Sequence, residues 1–320
     1  MHGVLNLIKP PGMTSHDAVA FVRRVLKNKR VGHTGTLDPA AAGVLPICVG
    51  QATRLVEYLQ AGTKEYIAEM TFGHETDTLD AVGKIIREAP TSQVNLETLR
   101  AALDGFRGEI TQTPPLYSAI KKDGQKLYEI ARAGGDTEIP TRQVTISKLF
   151  VTRFIEGEKL RAMLHIECSG GTYIRSLVRD IGNALGSAAT MTFLVRTRSG
   201  RFCIDEAVSC EEFAQNPQLT ELETILDFLV LSVFIDDAQT LALSQGKQIV
   251  SPPSPGLKER KEKESQNALQ ELRPFRIANL SPKQSKVIFH NAAKTIFALA
   301  VPAENPEFYK AEKVFDLREK

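Results

Sequence analysis

The sequence predicts an α+β protein: a mainly antiparallel mixed sheet flanked by helices, followed by a small β-rich C-terminal domain. Two observations carry this. Apolar residues recur with strand and helix periods in alternation but without a regular βαβ repeat, and beyond residue 273 only short apolar runs of strand length remain.

Residues 2–8 form a first strand that breaks at Lys9-Pro10-Pro11-Gly12, because proline has no N–H for a ladder and Pro-Gly turns the chain. Thr14-Ser15 then caps a helix through about Leu26, with Asp17 in its first turn and Ala18, Phe21, Val22, Val25 and Leu26 as its apolar face. Residues 64–72 alternate, with Tyr66, Ala68, Met70 and Phe72 on one side. A helix follows at about 96–103. Residues 160–168 alternate again, and after Gly170-Gly171 the residues Ile174, Leu177, Val178, Ile181 and Leu185 return to helical spacing.

An acidic helix near 221–231 precedes the clearest boundary, dividing the chain into residues 1–230 and 231–320. Residues 236–244 read as a short helix ending at Gly246. Residues 251–272 are rich in Pro and Ser and then charged, the composition of a flexible insertion. Strands are expected at 275–280, 287–289, 295–302 and 311–315.

Of the 320 residues, 42% are apolar and 24% charged, which excludes wholesale disorder. Cys48, Cys168, Cys203 and Cys210 form no CxxC pair, against a zinc ribbon or disulfide framework and in keeping with a reducing compartment. No basic region with a following apolar core opens the chain, so no signal peptide is expected. The most apolar stretch, 225–235, is too short to span a bilayer and carries Asp227. A cytoplasmic protein without membrane attachment is the expectation.

The net charge of +2 hides an uneven distribution. Residues 1–50 hold six Lys/Arg against two Asp/Glu, residues 151–200 seven against four, residues 201–250 two against nine, and residues 251–300 nine against four. Basic segments separated by an acidic one suit a nucleic-acid track, although on charge alone ordinary surface variation is the favoured reading.

The densest unusual run is RVGHTGTLDPAAAGVLP at 30–46. Local grammar reads its second half as a helix start, with Asp38 as N-cap, Pro39 as first helical residue, the alanines as a turn and Gly43 as the stop. That leaves the two glycines of the approach unexplained. The GxxxxGK[ST] and GxGxxG patterns are both absent, so a nucleoside-triphosphate site is not expected.

This run resembles the active-site motif of the TruB family of pseudouridine synthases, which isomerise a uridine in the T loop of tRNA. LNLIKPPGMTSHDAV, KEYIAEMTFGHETDTLDAVG, PPLYSAIKKDGQKLYEIARAG and CSGGTYIRSLVRDIGNALG resemble further segments of that family in order and spacing, covering about residues 3–203. The resemblance implies the pseudouridine synthase fold and, more loosely, a PUA-type RNA-binding domain at the C-terminus. The charged run at 251–272 departs from the latter.

Pseudouridine formation breaks the bond from ribose C1′ to uracil N1 and remakes it to C5. Nothing is lost and no electron leaves, so no metal or redox cofactor is required. A nucleophilic carboxylate holds the sugar or base while the ring turns, and the resemblance assigns that role to Asp38. Arg175 matches the arginine that pairs with it and favours its ionised form. The target base has to be flipped out of its stack into a pocket. By resemblance Tyr66 stacks on it, Tyr173 and Leu194 line the uracil site, His33 helps hold the extruded nucleotide, and Lys9 supports the aspartate. On composition alone Tyr66 and Leu194 are core residues, Tyr173 a helix-start residue and His33 an ordinary loop histidine.

Residues 112–142 combine Lys121, Lys122, Lys126, Arg132 and Arg142 with Tyr117 and Tyr128, suiting an RNA clamp or an amphipathic surface hairpin. Residues 196–201, RTRSGR, read as a backbone grip or a solvated turn. The expected activity is isomerisation of tRNA uridine 55 by a monomer that recognises the T arm without an obligate protein partner. A non-catalytic RNA-binding protein and a guide-RNA-dependent dyskerin-type synthase are the alternatives.

Overall fold

The computed structural model of the chain describes residues 1–117, 121–122, 125–126, 139–229, 231–234, 236–250, 287–290, 296–302, 304 and 308–316. They divide into two compact units: residues 6–47 with 56–218, and residues 1–5 and 48–55 with the segment from 219 onward. The expected insertion at 251–272 and strand at 275–280 lie outside the described residues, as does most of 112–142.

The larger unit is built from β1 (Gly3–Lys9), α1 (Ser15–Leu26), β2 (Val31–His33), β3 (Ala42–Val49), α2 (Val56–Gln60), β4 (Lys64–Phe72), β5 (His74–Thr76), β6 (Ile85–Glu88), α3 (Leu96–Leu103) and β7 (Gly108–Gln112). Then come the two-residue strands β8 (Lys121–Lys122) and β9 (Gln125–Lys126), followed by β10 (Arg142–Ile155), β11 (Arg161–Cys168), α4 (Ile174–Ala184), β12 (Ala189–Ser199), β13 (Phe202–Cys203) and α5 (Cys210–Gln215). Its sheet has the order β1-β3-β12-β4-β11-β10-β7. β4 is antiparallel to both β11 and β12, β10 is antiparallel to β11 and β7, and β3 joins β12 in parallel.

The period-two pattern decides which face of this sheet is buried. Tyr66, Ala68, Met70 and Phe72 of β4 and Ala162, Leu164, Ile166 and Cys168 of β11 all face the core. Against it packs α4, whose Ile174, Leu177, Val178 and Ile181 are buried at helical spacing. α1 starts as its sequence foretells: Thr14 accepts from the Asp17 N–H at 3.0 Å and the Asp17 carboxylate accepts from the Thr14 N–H at 3.0 Å, a capping box that satisfies two otherwise orphaned donors.

In the smaller unit Gly3 and Val4 of β1 pair with β14 (Thr220–Glu221). α6 (Leu222–Leu229), β15 (Leu231–Phe234), α7 (Asp237–Ser244), β16 (Ile249–Val250), β17 (Val287–His290), β18 (Ile296–Pro302) and β19 (Phe308–Asp316) follow, with a five-stranded sheet of order β15-β17-β18-β19-β16. Leu243 of α7 meets Ile249, Ala298, Ala300 and Tyr309 in its core. The division by compactness begins at Leu219 and takes in residues 48–55, where the sequence suggests a boundary at 230. The physical reason is a set of contacts to β19. The Gln51 side chain exchanges hydrogen bonds with both backbone groups of Asp316, and the Arg54 guanidinium lies over the Phe315 ring, 5.2 Å from its centre. Among the described residues no helix is long and apolar enough to cross a membrane.

Candidate active site

The run at 34–41 forms no helix. The Ala41 N–H reaches the Asp38 carbonyl at 3.1 Å to close one turn, and the chain then enters β3 directly. Gly43 is therefore not a helix stop. Its φ is 105°, and a Cβ there would overlap the Arg196 carbonyl oxygen and lie 2.8 Å from the Arg196 nitrogen, so close strand approach demands glycine.

The segment after β1 cradles this turn. Ser15 Oγ donates to the Leu37 carbonyl at 3.1 Å and accepts from the Leu37 N–H at 2.9 Å, while the Gly12 N–H donates to the Pro39 carbonyl at 2.8 Å. Lys9 is 0% exposed, and its Nζ donates to the carbonyls of Pro10 (3.0 Å), Met13 (2.7 Å) and Pro39 (3.3 Å). Three donors thus meet three acceptors. Burial lowers the Lys9 pKa to about 8, with the Asp38 charge opposing the fall and that of Arg196 adding to it.

Asp38 stands at the tip of this turn with its side chain 33% exposed, held by Arg175, which is 7% exposed. Arg175 Nε meets Oδ2 at 2.9 Å and Nη2 meets Oδ1 at 3.1 Å, a two-toothed fork of charge-assisted bonds. The remaining guanidinium donors reach the Thr78 carbonyl at 2.9 Å and the Tyr117 carbonyl at 3.1 Å, and Asp80 Oδ2 lies 3.8 Å from Nη1. Desolvation pushes the Asp38 carboxyl above its ordinary range; Arg175 and Lys9 pull it back, and the like charge of Asp80 adds to the rise.

Arg175 is aimed by its place in the first turn of α4. The Gln112 side chain clamps the residue before that helix, accepting from the Tyr173 N–H at 2.7 Å and donating to the Tyr173 carbonyl at 2.9 Å. Ser176 Oγ donates to the Thr113 carbonyl at 2.8 Å. On the other side, Leu79 has the left-handed φ of 62°, unusual for a branched side chain. Asp80 Oδ1 accepts from Thr78 Oγ1 at 2.6 Å and from the Val82 N–H at 3.1 Å. This tight loop turns both the Thr78 carbonyl and the Asp80 carboxylate toward Arg175.

The structure thus brings Asp38, Arg175 and Lys9 together. Tyr66 is buried on β4, opposite Arg196 of β12, and close enough to Asp38 to feel its charge. Burial pushes the Tyr66 phenol up, with Arg196 resisting through charge and a hydrogen bond. His33 is half-buried at the end of β2, its Nδ1 accepting from the Gly35 N–H at 3.3 Å; burial and the Arg196 charge lower its pKa and favour the neutral ring. Tyr173 is half-buried before α4, its ring centre 5.4 Å from the Arg142 guanidinium. Leu194 is buried on β12 opposite Ala68, two residues before Arg196.

Four partners escaped the sequence: Asp80, Gln112, Ser15 and Arg196. Asp80 lies in the TDTLDAVG run, where its spacing after Thr78 is the one available signal. Gln112 and Ser15 carry none, since both act through backbone far away in the chain. Arg196 corrects an expectation. Of the two readings of 196–201, backbone grip and solvated turn, neither fits Arg196, which is 1% exposed within β12; Arg198 of the same strand pairs with Glu65 of β4 at 3.0 Å. Strict alternation would put both arginines on one face; a register shift between them, which sets Arg196 opposite Tyr66 and Arg198 opposite Glu65, turns one inward and leaves the other paired with a carboxylate.

The model of the TruB family pseudouridylate synthase N-terminal domain matches residues 23–174, and that of the tRNA pseudouridylate synthase B C-terminal domain matches residues 175–233. A tRNA pseudouridine synthase B of Symbiobacterium thermophilum is 51% identical over 66% of this chain and 71% of its own length. That of Caldanaerobacter subterraneus subsp. tengcongensis is 46% identical over 77% of this chain and 86% of its own. Among solved structures, an H/ACA RNP bound to a substrate RNA containing 2′-deoxyuridine aligns with TM-score 0.66 and 25% identity, covering 99% of this chain and 86% of that one. A Cbf5-Nop10-Gar1 complex aligns with the same score and coverage at 26% identity. With its core sheet, its capped glycine-bordered turn and these matches in agreement, the chain belongs to the TruB family of pseudouridylate synthases.

Proposed function

We propose that this chain isomerises uridine to pseudouridine in tRNA, at position 55 of the T loop, with Asp38 as the nucleophile. The observation that carries the reading is the Asp38 carboxylate, a third exposed at a turn and held by a buried arginine through both oxygens. A carboxylate that only supported the fold would have no need of an open face beside a buried cation.

The flipped nucleotide enters beside Asp38, whose free lone pairs attack while Arg175 keeps the group ionised against desolvation. Tyr66 stacks on the base, Tyr173 and Leu194 wall the uracil, neutral His33 steadies the extruded nucleotide, and Lys9 locks the Pro39 carbonyl so that the turn keeps its shape. The bond from C1′ to N1 breaks, the ring turns and C5 bonds to C1′ as the Asp38 oxygen is released from its adduct; C5 then gives up its proton to solvent and N1 takes one up, so that atoms and charge balance. Every step is acid–base or nucleophilic, so the reaction runs without metal or cofactor. The partner is the T arm of tRNA; the chain acts as a monomer in the cytoplasm, needs no other protein, and uses residues 231–320 as a PUA-like RNA-binding domain and 112–142 as a clamp.

The Asp38→Asn variant tests this with purified protein and an unmodified tRNA transcript. Binding within about threefold of wild type is expected, with no pseudouridine detected by chemical derivatisation, because the neutral amide is isosteric but not nucleophilic. Near wild-type product from this variant refutes the nucleophile. Tight binding by the wild-type chain without product favours the non-catalytic alternative, and product only with added guide RNA favours the dyskerin-type one.

A further inference from the structure

Arg196 is the largest fully buried side chain in the molecule's described part, and among the described residues no carboxylate lies within ion-pair distance of it. Burial lowers the pKa of three other cationic groups, Lys9, Lys64 and His33, and the Arg196 charge adds to each fall. A permanent cation buried without a carboxylate is costly, and a fold that keeps one gains something beyond packing.

Its donors show what. Nε donates to the Val44 carbonyl at 2.7 Å and Nη2 to the Gly35 carbonyl at 3.2 Å, the two ends of the segment that carries Asp38. Tyr66 is the cross-strand neighbour of Arg196 and is buried like it, so the phenol stands beside the guanidinium. A guanidinium has donors only, so toward it the phenol oxygen can only accept, which leaves the Tyr66 O–H proton to point elsewhere. The absent Cβ at Gly43 lets β3 approach closely enough for the contacts to Gly35 and Val44.

We propose that Arg196 is a positioning residue for the isomerisation: by occupying the Tyr66 oxygen as donor it directs the phenol proton toward the nucleotide at Asp38, and by gripping Gly35 and Val44 it gives the catalytic turn one shape. This rests on Tyr66 facing the flipped nucleotide. The two ideas separate in a double-mutant cycle of Arg196→Lys and Tyr66→Phe, with the full chain and an unmodified tRNA transcript. Lysine keeps the charge and loses the three-way fork.

Tyr66→Phe alone is expected to slow single-turnover conversion. Arg196→Lys alone is expected to slow it about tenfold or more with the tRNA Kd within about threefold, and to add less than about twofold in the Tyr66→Phe background. An undiminished Arg196→Lys effect in that background, or a loss confined to Kd, overturns the proposal. Wild-type rates from Tyr66→Phe overturn the reading of Tyr66 itself. With six tyrosines and no tryptophan in the chain, tyrosinate absorbance of wild type minus Tyr66→Phe isolates the Tyr66 phenol. Cys168 and Asp38 are the other ionisable groups it senses. Arg196→Gln should raise its midpoint, and an unmoved midpoint counts against the contact. Should neither Arg196 variant fold, nitrogen-labelled arginine spectra of the wild-type chain decide: slowed guanidinium rotation at Arg196 that is relieved in Tyr66→Phe is expected, and identical spectra overturn the idea.

Discussion

Arg175→Ala leaves Asp38 and Asp80 facing one another without their shared cation and strips the donors from the Thr78 and Tyr117 carbonyls. Asp38 loses two charge-assisted hydrogen bonds, each worth about 1.5–3 kcal/mol net in a protein. Its side chain is 33% exposed, so water replaces part of this, and we take about 2–3 kcal/mol as the total loss. If that loss falls on the transition state, where the oxygens have to be held in line, the rate falls roughly 30- to 150-fold at about 1.4 kcal/mol per decade. Single-turnover release of tritium from 5-tritiated uridine in tRNA reads this directly, because the C5 hydrogen has to leave. Affinity for tRNA should change by less than about threefold, since Arg175 is itself walled from solvent. The pH profile gives a second sign. Asp38 has to be ionised to attack and its pKa is already raised, so activity is lost as pH falls through that raised value. Removing the Arg175 charge raises it further, and the acid limb should move toward neutrality. Turnover within about threefold of wild type with an unmoved acid limb would refute the pairing argument.

Lys9→Met removes the donor that three part-buried carbonyls share; water reaches part of what is left bare, so about 2–3 kcal/mol in all and a fall in Tm of roughly 5–10 °C are expected by calorimetry. The Lys9 pKa is depressed to about 8 from 10.5, so between those values the unfolded chain holds a proton that the folded chain has shed; this group's contribution to stability rises with pH across that interval and is absent from the variant's urea midpoints. Gly43→Ala forces a Cβ into the Arg196 backbone at a φ of 105°, and loss of soluble folded protein, or at least about 3 kcal/mol of urea stability, is expected. Wild-type urea stability in that variant would show that the strands part without cost.

The elements were legible in the sequence because their causes are local. The capping box of Thr14 and Asp17 fixes where α1 begins, and the alternation of Tyr66, Ala68, Met70 and Phe72 decides the inward face of β4 before any partner strand is known. The same local grammar misleads at 38–43. Asp-Pro-Ala-Ala-Ala-Gly is a good helix start and stop, yet a helix there would deny β3 its parallel pairing with β12 at Val195 and Arg196 and turn Asp38 into a cap, with its oxygens spent on backbone N–H groups. Tertiary pairing overrides propensity because one short helical turn contributes little on its own, while strand pairing and burial of Val44, Leu45 and Ile47 contribute much. The site itself is a different matter. Arg175 stands 137 residues from Asp38, and Arg196 stands 161 from Gly35. No periodicity spans such distances, and only the resemblance joined Arg175 to Asp38. Arg196 and Asp80 had no such help. An arginine in a strand of mixed pattern reads as surface until a glycine on another strand is seen to lack the Cβ that would exclude it. The signature of this buried cation therefore lies at Gly43 as much as at Arg196, and a substitution at either position should act on the other: Gly43→Ala ought to disturb Arg196 contacts to Val44 and Gly35 before it disturbs anything local to β3.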